Sequence, residues 1–336
     1  MLKLLAAVGA GALVIGAIRR HRTVSGVHPE LRVPQLWAPF SMGSTLELAV
    51  GRRVVAVPTK PVGGVTVRSL RVPGGEDAFV YQPDLDSGPR GALLWIHGGG
   101  MIAGIPEGDH ELCSRAAREL GIVVVNARYR LAPEHPFPAA IDDLTAALRW
   151  LLSSAGELGV DPDRIAVGGA SAGGGLAASL AQRAHDDGLP LAFQVLVYPM
   201  LDDRTMQTPD DPGKGRLIWT ARSNRFGWSC YLAHPPGQAE TRPYAVPARR
   251  DDLSGLPPAW IGVGDLDLFY DEDLTYAARL REAGVPVEVY ELAGLYHGGD
   301  VLTAADNAIA GAFRQSWYDA LGDAISTRPH KASDRR

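Results

Sequence analysis

The stretch IAVGGASAGGGLAASL, residues 165–180, decides how this chain is read. An apolar run, Ile165-Ala166-Val167, meets two glycines, and a single hydroxyl, Ser171, follows among residues that have almost no side chains. Gly169-Ala170-Ser171-Ala172-Gly173 fits G-x-S-x-G, with a predicted strand before it and a small-residue helix after it. In that setting a serine stands on a sharp strand-to-helix turn, and its neighbours must be small so that the crossing backbones can approach. The plainer reading is a flexible glycine-rich turn. Choosing between them depends on whether the chain supplies the partners that a nucleophilic serine needs.

A serine hydroxyl is a weak nucleophile unless a base takes its proton and an acid orients that base. In strand–helix folds of this kind the partners follow in the order Ser, acid, His. Beyond Ser171 the histidines are His185, His234, His297 and His330. His185 falls on the helix after the turn, His234 in an irregular stretch and His330 in a polar tail. His297, in AGLYHGGD, sits between the last predicted strand and the last helix, where a loop reaches the carboxyl end of a sheet. The acid should follow the preceding strand, in PPAWIGVGDLDLFYDED. There Asp265, Asp267 and Asp271 all qualify by spacing, with Asp265 close to the strand and Asp271 resembling a helix N-cap.

His97-Gly98-Gly99-Gly100 directly follows the run ALLWI. Consecutive glycines let backbone N–H groups converge on a small anion. Ester cleavage builds such an anion on the carbonyl oxygen, and a fixed donor there is worth about 2.7–4 kcal/mol. A dinucleotide fingerprint, Gly98-x-Gly100-x-x-Ala103, would need a helix to open at once. MIAGIPEGDH follows instead, rich in Gly and Pro. His97 is expected to brace this loop, and Glu134 and His135 in LAPEHP to be structural.

The chain has 336 residues, 46% hydrophobic, enough for one large domain with an inserted subdomain. Its net charge of −5 shows no basic excess for nucleic acid. Cys113 and Cys230 have no metal-binding spacing and are too few for a disulfide framework, so they read as reduced core thiols. With no HExxH, CxxC, EF-hand or P-loop pattern, neither a metal nor a cofactor is expected.

From about residue 75 apolar runs of strand length alternate with helical patterns. The runs are Ala92–Ile96, Gly121–Val125, Arg164–Val167, Ala192–Tyr198, Ala259–Val263 and Val287–Leu292. In AAIDDLTAALRWLLSSA, Ile141, Leu144, Leu148 and Leu151 share one helix face, and DEDLTYAARLREAG opens on acids and closes on Gly284. Such alternation means an α/β fold with a mainly parallel sheet covered on both faces. Residues 202–256 break the rhythm with Pro, Arg, Asp and the aromatics Trp219, Phe226, Trp228 and Tyr231, too long for a plain loop. They read as a cap insertion, with Pro29–Leu46 packed against it.

At the N-terminus an apolar run, Leu4 to Ile18, is closed by Arg19, Arg20 and Arg22. At about 22 Å as a helix it is shorter than a hydrocarbon core of about 30 Å. Three readings stand: a secretory signal, a packed helix, or a membrane anchor with the body on the cytoplasmic side. The arginines follow the apolar run, which favours the anchor over the signal. The resulting division is an apolar segment 1–22, an N-terminal cap region 23–70, a catalytic domain 71–325 and a polar tail 326–336.

Six motifs in order, HGGG, YRLAPEHPFPAA, GASAGG, YPMLDD, DLDLFYDED and YHGG, resemble the hormone-sensitive-lipase-like branch of α/β-hydrolases, the bacterial family IV carboxylesterases. The resemblance spans roughly residues 75–315. It implies an α/β-hydrolase fold with a cap, no cofactor, and hydrolysis of short- to medium-chain esters. It also implies Asp267 as the acid, opening the family's D-x-L-x-D-E-like segment, although Leu268 and Phe269 depart from the usual pattern. Ser171, Asp267 and His297 would then be the triad, and Gly98, Gly99, Gly100 and Ala172 the oxyanion hole. The family commonly has Asp before the serine, where this chain has Ala170. Two other classes share the scaffold. One is an amidase or dehydratase. The other is a non-catalytic small-molecule receptor, which typically loses a triad member; all three candidates are present here.

Overall fold

Eight strands form one sheet in the order β1-β2-β4-β3-β5-β6-β7-β8. They are β1 (Val65–Arg71), β2 (Asp77–Pro83), β3 (Arg90–Ile96), β4 (Val123–Ala127), β5 (Val160–Ala170), β6 (Phe193–Val197), β7 (Ala259–Gly264) and β8 (Val287–Leu292). In this computed structural model residues 17–38, 40–84, 88–207, 213–304 and 306–325 are described. Strands β3 to β8 run parallel, while β2 is antiparallel to both β1 and β4.

The longer helices are α1 (Thr45–Val55), α2 (His110–Leu120), α3 (Ala139–Ser153), α4 (Ala172–Asp186), α5 (Ala221–Leu232), α6 (Tyr270–Glu282) and α7 (Ala308–Ile325). The two-residue period of a strand sends alternate side chains to opposite faces. Ala92, Leu94 and Ile96 of β3 join a core with Ile141, Leu148, Leu176 and Leu280 of α3, α4 and α6. Leu93 and Trp95 join a second core with Cys113 and Ala116 of α2 and Phe313 and Trp317 of α7. Both faces are therefore covered, as the continuous apolar runs require. Each fully buried large apolar side chain contributes about 1.5–3 kcal/mol of burial free energy.

Three differences from the sequence expectation have local causes. Val65–Arg71, all but its last residue placed above in the N-terminal cap region, is an edge strand of the sheet. Its burial alternates and never becomes complete, so it leaves no continuous apolar run to read. Strand β4 begins two residues later than expected, because Gly121 is left-handed (φ 67°) and ends α2. It runs on through Asn126, whose buried side chain donates to the Pro106 carbonyl at 2.7 Å. The third concerns the thiols: Cys113 is buried, but Cys230 is only half-buried.

Residues 202–256 carry helix α5, and the N-terminal segment meets it. The Met42 amide donates to Ser223 Oγ at 3.0 Å, and Arg222 pairs with Glu47 of α1 at 2.7 Å. Arg52 of α1 grips Glu134 at 2.6 Å, which ties α1 to the LAPEHP loop. Among the described residues no helix is long and apolar enough to cross a membrane. Residues 1–16, most of the segment read as an anchor, and the tail 326–336 lie outside the described residues.

Candidate active site

Strand β5 ends at Ala170 and α4 begins at Ala172, with Ser171 at the corner in a left-handed conformation, φ 58° and ψ −123°. For a non-glycine residue this costs on the order of 1–3 kcal/mol and must be held by its surroundings. The Ser171 amide donates to the Val197 carbonyl at 2.9 Å, and its own carbonyl accepts from Met200 at 3.0 Å. The bed of small residues now has its reason. A Cβ on Gly173 would stand 2.0 Å from the Ile96 carbonyl oxygen, because α4 starts directly against the end of β3. The corner can form only where the backbones touch.

Three side chains from three loops meet there. His297 Nε2 lies 2.8 Å from Ser171 Oγ, and its Nδ1 lies 2.8 Å from Asp267 Oδ2. The other oxygen of Asp267 accepts the Phe269 amide at 3.0 Å, which fixes the carboxylate. All three residues are buried, with Ser171 7% exposed. The competing carboxylates go elsewhere: Asp265 accepts the Gly294 amide at 2.6 Å, and Asp271 pairs with Lys214 at 2.7 Å. Asp265 lies just past β7, and Asp271 lies inside the first turn of α6 rather than capping it. His185 is on α4, His234 pairs with Glu240, and His330 is outside the described residues.

The glycine loop lies beside Ser171. Gly100 is left-handed (φ 63°), and a Cβ there would stand 2.1 Å from the Trp219 ring. Among the described residues the amides of Gly99 and Gly100 have no backbone acceptor. Ala172 opens α4, so its amide belongs to the first turn, which has no intrahelical partner. Gly98 packs against the Ala170 carbonyl and the Ser171 Cβ.

His97 holds this loop. Its ring stacks on Tyr129 at 4.3 Å, and Nδ1 lies 2.8 Å from the Gly98 carbonyl. Burial pushes its pKa down to about 4, so the neutral ring donates from Nδ1. An unfolded histidine protonates near 6.5, so between about pH 6.5 and 4 the unfolded chain takes up a proton that the folded one refuses. Stability should therefore fall on acidification through that window, by up to about 3 kcal/mol from this residue. Denaturant unfolding of His97→Gln across this range should show a shallower pH slope than the parent. Equal slopes would remove His97 from the account. Glu134 and Glu240, each held at about 2 by hydrogen bonds from arginine, act in a lower window.

Residues 93–300 match the family described as alpha/beta hydrolase fold. This chain belongs to the α/β-hydrolase family. Its place is in the hormone-sensitive-lipase-like branch that the motifs resemble. The hydrolase is 36% identical over 278 residues to Esterase LipI of Mycobacterium tuberculosis (strain ATCC 25618 / H37Rv), covering 81% of this chain and 76% of that protein. It is 39% identical over 227 residues to Carboxylesterase NlhH of the same organism, covering 65% and 69%. Among solved structures it is similar to a bacterial heroin esterase, with TM-score 0.81 and 36% identity over 91% of this chain and 100% of that one.

Two features of the hydrolase's site had no assigned position from the sequence. Trp219 is 3% exposed, lies against Gly100 and stands 6.4 Å from the His297 ring, with Nε1 donating to Asn224 Oδ1 at 3.1 Å. Tyr198 sets its ring edge-on to His297 at 4.9 Å and donates its hydroxyl to Asp300 Oδ1 at 2.9 Å. Burial raises the pKa of Asp300. The signals were Trp219 as an aromatic of the cap insertion, Tyr198 in YPMLDD and Asp300 in AGLYHGGD, and none of these gives a direction. A cavity of about 1240 Å³ opens between residues 202–251 and α6, but neither Ser171 nor His297 lines it. Arg204 and Arg279 in its wall are taken up by Asp202 and by the carbonyls of Ala248 and Arg250.

Proposed function

We propose that this hydrolase is a serine carboxylesterase acting on short- to medium-chain esters of small molecules. The observation that carries the proposal is the unbroken hydrogen-bond chain from Ser171 through His297 to Asp267 at the carboxyl end of the sheet. Ser171 Oγ attacks the ester carbonyl while His297 Nε2 takes its proton. His297 then returns that proton to the leaving alcohol, and an acyl-enzyme remains. Water enters by the same base, and Ser171 is released. Asp267 keeps the proton of His297 on Nδ1 and balances the imidazolium as it forms. The amides of Gly99, Gly100 and Ala172, with Gly98 beside them, receive the oxyanion. The residues used here call for no cofactor.

The test is turnover of matched chromogenic esters and amides, together with a serine-directed phosphonate. Ester turnover should dominate and the label should fall on Ser171. Faster turnover of the amides would move the assignment to an amidase, and an unlabelled Ser171 would end it.

The N-terminal region and residues 202–256 act in this proposal as a cap over the catalytic face, and Trp219 is its inner surface. A covered pocket is finite, so the best esters should have acyl chains of about C4 to C8, with poor turnover of emulsified long-chain triglycerides. Trp219→Ala should move the optimum to longer chains and weaken kcat/KM for the shortest, while Trp219→Phe keeps most of the original preference. An acyl series from acetate to palmitate on one alcohol reads this out. An unchanged profile in Trp219→Ala would remove Trp219 from the pocket. Location belongs to the same proposal: the body lies on the cytoplasmic side, with residues 1–22 as a membrane attachment.

A further inference from the structure

Helix α1 is apolar on both sides. Leu48 and Gly51 are buried, and a Cβ on Gly51 would meet the Met42 side chain. On the opposite side Leu46, Val50 and Val54 recur every fourth residue and are 77%, 56% and 56% exposed. Positions four apart lie one above the other along a helix, so these three form a continuous bare stripe. A helix packed on a core ordinarily shows a polar outer face. Among the described residues seven large apolar side chains are exposed, and Ile18, Trp37, Leu46, Val50, Val54 and Val57 are six of them. Only Val301 lies outside this one segment.

The part of the segment that carries Ile18 and Trp37 is held together by side chains. Arg20 donates to the carbonyls of Leu36 and Ala38, and His21 stacks near Trp37. Its charge is also distinct. Residues 17–60 hold seven basic and two acidic side chains, in a chain whose net charge is −5. Arg19, Arg22, Arg53 and Lys60 are exposed, and one of the two acids, Glu47, is paired with Arg222. The sequence that enters at Ala17 is apolar and uncharged from Leu4 to Gly16.

We propose that the bare face of α1, together with Ile18 and Trp37, docks the folded body on an anionic lipid surface. Apolar side chains inserted at the headgroup boundary and basic side chains over anionic headgroups are the two contributions that hold an interfacial helix. This differs from tethering by the N-terminal residues alone, since it assigns affinity to a face of the folded protein. A neutral partner would make no use of the basic excess, and a second copy meeting the same face would set like charges against each other.

The experiment is vesicle flotation of the full chain on phosphatidylcholine with and without phosphatidylglycerol. The parent should bind the anionic vesicles, and added salt should weaken that binding. Replacing Leu46→Ser, Val50→Ser and Val54→Ser together should reduce binding by about tenfold or more, from the lost apolar insertion. Melting temperature and turnover of a soluble short-chain ester should stay at parent values, because these side chains face outward. Val50→Asp alone, a milder change to the fold, should reduce binding in the same direction. Equal binding by the parent and both variants would overturn the proposal in favour of residues 1–16 as sole anchor. A parent that leaves the vesicles unbound would also overturn it, as it would if residues 1–16 covered the stripe. A parent dimer that the triple variant converts to monomer, read by light scattering, would assign the stripe to a second copy instead.

Discussion

Ser171→Ala is expected to lower turnover by about 10⁶-fold, the scale of loss when a triad serine is removed. The size of the effect follows from the geometry. The hydroxyl is held 2.8 Å from His297 Nε2 on a corner built of glycine and alanine, so no neighbouring side chain can substitute for it. Stability should change little or rise slightly. Alanine accepts the same left-handed backbone no worse than serine, and the hydroxyl it loses serves the site rather than the core. The measurement is kcat on a chromogenic ester with stability followed in parallel. A folded Ser171→Ala enzyme with near-parent turnover would mean that the chemistry lies elsewhere.

Asp267→Asn should cost about 10⁴ in turnover while the fold persists. The amide fills the same space and can still accept from the Phe269 amide, so packing is kept. It can also donate to His297 Nδ1, which favours the wrong tautomer and leaves Nε2 unable to take the serine proton. Asp265→Asn and Asp271→Asn serve as the controls. Asp265 closes a loop through Gly294, and Asp271 pairs with Lys214 at an exposed position, so both changes should leave kcat within a few-fold of the parent. A larger loss at Asp265 than at Asp267 would transfer the orienting role two residues upstream.

The sequence by itself determined the corner, the glycine loop and the order of the partners. Each is a short-range constraint written in residue type. Gly173 is required because a backbone passes 2.0 Å from where its Cβ would be, and Gly100 because Trp219 lies on it. Buried parallel strands need continuous apolar runs, and these were legible from Ala92 onward. His297 could be singled out because only one loop at the carboxyl end of the sheet follows the last strand and carries a histidine.

The tertiary structure decided what depends on direction. Three carboxylates within seven residues fit by spacing alone, and only the family resemblance favoured Asp267. Asp267 is selected because the turn after β7 aims it across thirty residues of sequence at His297, while its neighbours turn to a backbone amide and to a lysine. Strand β1 stayed hidden because an edge strand is half-wet and leaves only a weak alternation. Trp219 was legible only as a cap aromatic and the Tyr198–Asp300 pair only as motif residues, because nothing in an indole or a phenol says which loop it will rest on. The bare stripe of α1 was hidden for the same reason. Leu46, Val50 and Val54 look like core residues until packing shows that Leu48 and Gly51 already fill the inner side. Residue type fixes what a local backbone can do, and only the packed chain fixes which way a side chain faces.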